Sequence, residues 1–545
     1  MQQKLNLFPT TVTRGPSCIK SLARRVYSLL VWTPLCDMAV ACGCSYTALV
    51  AETGDVWSFG LGDAGQLGLG NRESCVLPAS VGGCEVFGDK VVMIAAKFKH
   101  TACVTRDGAI FWWGDGFAGA LGLGDERRRL RPQRIGKEIF GTSPAVMVAC
   151  GSSFIIVLTQ AGRAWTCGCG KYGRLGHGNE NNCLVLTRVE GEIFLNTQIV
   201  MVAAAAYHSV ALGADAKVWC WGRAGLVGTR NGQDGDFKQS VLRPALVGKD
   251  SEGEEAFGGT TPVMIAAGHE HTVVVTEIGR PWAWGVGYSG QLGSGDRAHR
   301  YLPQRVGTED AFRNSKVMMA SWGGQFTLFV TEEGRLWMCG EVNAASKRFF
   351  AGLGNNLLVP FCIDALHFGH TKITSAAGGS NHAVAVNEHG RIFTWGNHTN
   401  MLLELVERGG LEVFETRTFP GGLGHEIGET NHVVTPLIVD SLQGIRIGRC
   451  HRPSKLTAIA FAMGTHARLG SIRVVVTVAR DGSKSMSTLG KSLDLKCHVG
   501  PRDADALYDD GKFSKEVLSC NLFFLSIQIL TMFKDVEILQ AYVHV

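Results

Sequence analysis

The 545-residue sequence predicts an all-β fold: a seven-bladed β-propeller of four-stranded blades, followed by a C-terminal extension to which the sequence assigns no fold. Three observations predict it. Glycine fills 70 positions without a collagen-like period while charged residues make up only 19%, so the excess glycine must serve tight turns. A strand-like motif ending in glycine recurs at Gly60, Gly114, Gly168, Gly222, Gly285, Gly340 and Gly396, spaced by 54, 54, 54, 63, 55 and 56 residues. Fourteen residues before each of these anchors stands Tyr46, His100, Phe154, His208, His271, Phe326 or His382, and that interval never varies.

Within each copy the elements follow in order. A short apolar run, a small-residue turn and a β-branched run, as in "VMIAAGHEHTVVVT" (Val263 to Thr276), read as two strands and a turn. Six residues before the anchor lies a turn glycine (Gly54, Gly108, Gly162, Gly279, Gly334, Gly390), replaced only by Ala216. It opens the third strand. On that strand Trp57, Phe111, Trp165, Trp219, Trp282, Trp337 or Phe393 lies three before the anchor. Phe59, Trp113, Cys167, Trp221, Trp284, Cys339 or Trp395 lies one before it, on the same strand face. A "GQLGLG" loop follows (65–70), echoed at 119–124, 173–178, 290–295 and, more weakly, 350–354. The fourth strand is expected to begin at proline: Pro78, Pro132, Pro244, Pro303, Pro360 or Pro436. Seven such units arranged radially hide most sheet edges.

Composition bounds the chemistry. A net charge of +5 is small for this length, so any nucleic-acid or acidic-partner surface must be a local patch. The 17 cysteines are scattered and read as reduced thiols packed as small hydrophobes. No metal site is expected: the four histidines of the fourteen-residue series lie in different blades, and the C-x-C pairs Cys42/Cys44 and Cys167/Cys169 have no partner pair at zinc spacing. These histidines are expected to hold blade turns by hydrogen bonds. The glycine-rich loop is not a phosphate cradle, since no G-x-x-x-x-G-K-[ST] occurs, and neither G-x-S-x-G nor H-E-x-x-H is present. No catalytic residue and no cofactor are assigned. No apolar run reaches the 18 to 20 residues of a spanning helix; the nearest, Leu522 to Phe533, contains Ser526 and Gln528 and reads as a buried element.

Where the copies differ, function is expected, because binding residues sit on loops held by a rigid scaffold. The second copy carries Arg127, Arg128, Arg129, Arg131 and Arg134 within eight residues, a cluster that can clamp carboxylates or phosphates bidentately. It is expected to lie on one inter-strand loop and project from one face. The sixth copy lengthens its loop and places Lys347, Arg348, Phe349 and Phe350 together, an expected protrusion with apolar and cationic tips. The seventh loses the "GQLG" loop to an insertion at 397–432. The propeller is expected over 38–447, and 448–545 forms the extension, with a decayed repeat at 454–490. Residues 1–37 form a basic leader or arm: Lys4, Arg14, Lys20, Arg24 and Arg25 precede the first acid, Asp37. Its composition and "RVYS" at Arg25 to Ser28 fit a mitochondrial presequence cleaved near Ser28; the rival reading is a basic arm that touches nucleic acid or a nuclear import receptor, with the nucleus or cytoplasm as the alternative location.

The anchors, the "IAAGxxHT" turns and the "GQLGxG" loops together resemble the regulator of chromosome condensation repeat family, over about three quarters of the chain. The resemblance implies a seven-bladed propeller and a protein-interaction role. It implies guanine-nucleotide exchange on a small GTPase, in which the empty GTPase is stabilised and no bond-making residue is used. It also offers a wedge reading for Lys347 to Phe350. The alternative is a scaffold that docks an acidic protein, a ribonucleoprotein or chromatin through the arginine loop. A monomer is expected. A plant photoreceptor of this family relies on tryptophans in "GWRHT" turns, and here those turns read "GHEHT", "AYHS" and "GSNHA".

Overall fold

The computed structural model describes residues 39–447, except 142, 192–195, 230–238, 249–254, 308–310, 342–355, 398, 409–410, 421–431 and 443–444, together with 475–478, 484–488 and 491–493. Seven four-stranded antiparallel sheets follow one another along the chain. Blade 1 is Val40–Cys42, Tyr46–Val50, Val56–Gly60 and Cys75–Gly82; blade 2 is Val91–Lys97, His100–Thr105, Ile110–Gly114 and Arg129–Ile135. Blade 7 is Ile373–Gly378, His382–Asn387, Ile392–Asn397 and His432–Ile438. The fold class read from the sequence is the observed one.

The invariant interval of fourteen residues is a hairpin register. In every blade the second strand pairs with the third so that the series residue faces the anchor: Tyr46 with Gly60, His100 with Gly114, His271 with Gly285, His382 with Gly396. One residue added to the intervening turn would send every side chain of one strand to the wrong face. The turn needs a left-handed residue, and Gly54 (φ 95°) through Gly390 (φ 73°) supply it. Ala216 is held there too, at φ 64°, where its Cβ is strained.

The prolines do not open the outer strands; they lie within them. Pro78 is the fourth residue of Cys75–Gly82 and Pro132 the fourth of Arg129–Ile135. Between Gly60↔Cys75 and Ser58↔Ala79 the outer strand advances four residues against two, a bulge at the blade edge. An edge strand tolerates proline there because no further strand needs its N–H.

Blades are joined at three levels. At the core, the aromatic three before the anchor meets a phenylalanine edge-on in blades 2, 3, 5, 6 and 7: Phe87 with Phe111 at 5.2 Å, Phe140 with Trp165 at 5.6 Å, Phe257 with Trp282 at 6.2 Å, Phe312 with Trp337 at 5.4 Å, Phe368 with Phe393 at 5.4 Å. Such pairs add about 0.5–1.5 kcal/mol beyond their buried area. This phenylalanine recurs in "EVFG", "EIFG", "EAFG", "DAFR" and "LHFG", a second periodic signal beside the anchors. At the loops, the carbonyl of the second residue of "GQLG" accepts from the next blade. Gln66 O takes Trp113 Nε1 (2.9 Å) and Thr101 Oγ1 (2.9 Å), and Arg174 O takes Trp221 Nε1 (2.9 Å) and Ser209 Oγ (2.7 Å). The glycine-rich loop is therefore a latch between blades. Its last glycine is required by close approach: a Cβ on Gly68 (φ 75°) would lie 2.8 Å from Trp113 Nε1.

The third level is the histidine series, which ties blade to blade rather than bracing turns within one. His208 Nε2 lies 2.7 Å from Thr272 Oγ1, His271 Nε2 2.9 Å from Thr327 Oγ1, and the Tyr46 hydroxyl 2.8 Å from Thr101 Oγ1. Because Thr327 Oγ1 donates its one proton to Gln291 O (2.7 Å), it accepts from His271, which places the ring proton on Nε2. Where the series residue is Phe326, the next blade offers Ala383 instead of a hydroxyl. His100 is the mismatch: Ile155 follows in blade 3, and its Nε2 has no hydroxyl to pair with.

Both ends of the repeat region build blade 1. Its inner strand is only Val40–Cys42, against Val91–Lys97 in blade 2. In blade 2 the Arg106 amide donates to Lys90 O (2.8 Å); in blade 1 the equivalent Glu52 amide donates to Arg446 O (2.9 Å). Arg446 and Ile447 thus take in blade 1 the place that Lys90 and Val91 hold in blade 2. Ile447, Leu442 and Val439 share a core with Leu49, Val50 and Phe59. Residues 397–432 carry a two-stranded hairpin, Thr399–Arg408 with Leu411–Pro420. Residues Pro453–Val545 form a second unit, of which Val475–Val478, Lys484–Thr488 and Lys491–Leu493 make a three-stranded meander.

Candidate partner-binding face

The hairpin register puts two sets of residues at one end of the propeller: the turn before the second strand and the loop after the anchor. Fifteen residues before the anchors stand Ser45, Lys99, Ser153, Tyr207, Glu270, Gln325 and Asn381; directly after them stand Leu61, Asp115, Cys169, Arg223, Val286, Glu341 and Asn397. Scaffold positions repeat around the axis, whereas these do not, and the face is where the blades acquire individual chemistry. Tip-to-tip hydrogen bonds hold it: Cys44 N to Phe98 O (3.1 Å), Ala206 N to His269 O (3.1 Å), and Ser380 N to Cys44 O (3.3 Å) across the ring closure.

Blades 3 to 5 contribute an aromatic and cationic group. Arg174, only 4% exposed, donates to Ala206 O (2.8 Å) and Lys171 O (2.8 Å), and its guanidinium lies 5.2 Å from the Tyr207 ring and 5.7 Å from the Tyr172 ring. Arg223 lies over the same two rings at 5.5 and 5.3 Å and pairs with Glu270 at 3.3 Å. Each guanidinium gains cation–π energy that water would otherwise supply as hydration. Burial lowers the Arg174 pKa and raises that of Glu270, whose charged form Arg223 then favours. His269 meets the Tyr207 ring at 5.6 Å, and burial, then the Lys97 charge, lowers its pKa to about 4. Tyr288 is 44% exposed, Ser289 bonds Gln325 at 2.7 Å, and partial burial, then the Glu270 and Glu341 charges, raises the Tyr288 pKa. Tyr172, Arg174, Tyr207, Arg223 and Glu270 were not singled out in the sequence; tabulating the variable positions against the constant register would have found them.

Blade 2 holds the arginine cluster, and the structure divides it. Arg127 and Arg128 lie on the loop after the third strand; Arg129, Arg131 and Arg134 belong to the outer strand, so the five do not share one loop. Arg129 forks onto Asp125 at 2.9 and 3.0 Å, and Arg128 pairs with Asp115 at 3.5 Å. The hydrogen bond from Arg129 is the main cause that lowers the Asp125 pKa. Arg131 sits against Gly70 of blade 1, where a Cβ would meet its guanidinium at 2.6 Å. Among the described residues, Arg127, Arg131 and Arg134 have no carboxylate within ion-pair distance and are exposed. Exposed Phe98 and Phe117 accompany them on the blade 2 turns. Lys347, Arg348, Phe349 and Phe350 lie outside the described residues. Among the described residues no group of histidine, cysteine or carboxylate side chains could hold a metal ion.

The "Regulator of chromosome condensation (RCC1) repeat" model matches residues 53–104, 107–158, 161–212 and 279–330, and a second model of the same description matches 146–174 and 373–400. The mouse secretion-regulating guanine nucleotide exchange factor is 30% identical over 382 residues, which cover 63% of this chain and 76% of that protein. The chain belongs to the RCC1 repeat family. The ultraviolet-B receptor UVR8 of Arabidopsis thaliana is 36% identical over 269 residues, 49% of this chain; the match spans 57% of the receptor's length. RUG3 of the same plant, named as mitochondrial, is 27% identical over 311 residues, 56% of this chain and 65% of its own. Among solved structures, Prp20p of Saccharomyces cerevisiae, described with its binding to Gsp1p and histones, superposes with a TM-score of 0.58 at 19% identity. It covers 74% of this chain and 87% of that one, which shows a shared RCC1-type fold.

Proposed function

We propose that this RCC1-type propeller is a guanine-nucleotide exchange factor for a small GTPase, with the face around Tyr207, Arg223 and Glu270 as its docking surface. The observation that carries it is the similarity to a protein named as an exchange factor over 76% of that protein's length. A rigid face with preset charges suits the reaction, because an exchange factor acts by binding the empty GTPase more tightly than the loaded one. No bond is made or broken by the propeller in this scheme. Arg127, Arg131 and Arg134 add a cationic flank for an acidic partner surface, and Lys347 to Phe350 are retained as a second contact. The leader and the similarity to RUG3 favour action in mitochondria.

The test is release of a fluorescent GDP analogue from a panel of purified small GTPases. At least one should lose nucleotide ten-fold faster or more with catalytic amounts of the protein, and should be retained on it only when empty. If none is accelerated or retained, exchange is excluded, and partners captured through the arginine flank would make the protein a docking scaffold.

A further inference from the structure

Lys97 stands where the other blades place Gly43, Gly151, Ala205, Gly268, Gly323 or Gly379, directly after the inner strand. Glycine suits that place because the series ring packs upon it: a Cβ on Gly268 would lie 2.2 Å from the His271 ring, and one on Gly379 equally near His382. Blade 2 escapes the clash by changing its turn. Its turn keeps two residues, Phe98 and Lys99, as the Gly43 amide to Tyr46 O and Gly268 amide to His271 O bonds give blades 1 and 5, but Phe98 is forced to φ 52°, where none of its counterparts has a positive φ. A bulky residue in the left-handed region is strained, and such strain persists only where the surroundings impose it.

The changed turn sends the Lys97 side chain across the propeller axis. Its Nζ lies 2.8 Å from Gly268 O and 3.5 Å from Ala267 O in blade 5, and 3.2 Å from Ala204 O in blade 4. The Trp322 ring of blade 6 covers it, with the centroid 3.4 Å away. Three N–H groups thus meet three carbonyls, a ring faces the charge, and the residue is 4% exposed. Each contact precedes a turn of the candidate face. Ala204 leads to Tyr207, Gly268 to His269 and Glu270, and Trp322 to Gln325.

We propose that Lys97 is a positioning residue: an ammonium carried across the axis that holds three turns of the face, those of Tyr207, His269–Glu270 and Gln325, in one arrangement. What that arrangement is used for rests on the exchange reading; the strut itself does not. Burial lowers the Lys97 pKa well below its ordinary value, and in its charged form Lys97 is one cause, after burial, of the lowered pKa values of His269, His271 and His208.

The experiment compares full-length wild type with Lys97→Met, Lys97→Arg and Trp322→Leu by amide hydrogen exchange and by NMR titration of His269. In Lys97→Met, protection at 205–207, 268–270 and 323–325 should fall ten-fold or more while the turns at Gly162 and Gly279, at the opposite end, keep theirs. The His269 midpoint should rise as the charge is lost. Lys97→Arg should restore most of the protection. Unchanged protection in Lys97→Met, or equal loss at both ends, would overturn the proposal. Should Lys97→Met fail to fold, Trp322→Leu decides: protection lost at 323–325 supports the strut, and none lost refutes it. These readouts need no GTPase, so a wild type inactive in exchange leaves the strut to be judged by them; in an active wild type, Lys97→Met should slow nucleotide release at least ten-fold.

Discussion

His382 Nε2 lies 3.1 Å from Thr47 Oγ1, 335 residues away, and this contact closes the ring between blades 7 and 1. The same bond recurs between blades 4 and 5 and between 5 and 6, so the propeller repeats its closure chemistry around the axis.

Acid should open these joints. Burial lowers the pKa of His100 and His382 from 6.5 to about 4 and that of His271 to about 3. The unfolded chain takes up protons near pH 6.5 and the folded one only near 4. Stability is therefore complete above about pH 6.5 and is lost as pH falls through the window down to about 4. Each histidine contributes about 1.4 kcal/mol per pH unit there. Urea unfolding at pH 7.5, 6.0 and 5.0 should show the decline, and His382→Phe, the residue type that blades 3 and 6 use, should make it shallower.

Thr327→Val removes the acceptor of His271 and the donor to Gln291 O at once. A loss of about 1–3 kcal/mol is expected for buried groups left unpaired. Denaturant midpoints would check it, and a change below 0.5 kcal/mol, a threshold set by ordinary surface substitutions, would mean water replaces the hydroxyl.

Ala216→Gly should stabilise. Its backbone already sits at φ 64° in a turn where six blades place glycine. Relief of about 1–2 kcal/mol of left-handed strain exceeds the roughly 0.4–1 kcal/mol of entropy that glycine adds to the unfolded state. Gly68→Ala should do the reverse by about 2 kcal/mol or more, because its Cβ meets Trp113. Thermal melts followed by tryptophan fluorescence distinguish the two.

Arg127→Ala with Arg134→Ala should change stability by no more than about 0.5 kcal/mol per site, since both are exposed. Capture of an acidic partner should weaken, more at low salt than at high salt. Arg129→Ala should instead loosen the loop through loss of the Asp125 fork, whatever the partner. Equal binding by the double variant and wild type would remove the flank from the site.

Removal of residues 1–27 should leave the melting temperature within about 1–2 °C, because Arg446 and Ile447 already fill the inner edge of blade 1. A reporter carrying residues 1–36 should enter mitochondria if they are a presequence; nuclear accumulation would favour the basic-arm reading.

The sequence by itself determined the blade count, the strand order and the hairpin register. These depend on local turn geometry and on aromatic positions that repeat along the chain, and periodicity exposes any requirement that every blade shares. The roles of the repeated residues were another matter. That His271 bonds Thr327, or that Gln66 O receives Trp113, depends on which blade follows in space, and only the closed ring brings those atoms together. Residues used once were the least legible: Lys97, Arg174 and Arg223 break the repeat rather than obey it, and Arg129 looks like Arg127 until the outer strand brings it onto Asp125. A side chain that crosses an axis to carbonyls 107, 170 and 171 residues away leaves no pattern along the chain, because its partners are chosen by the curvature of the whole propeller.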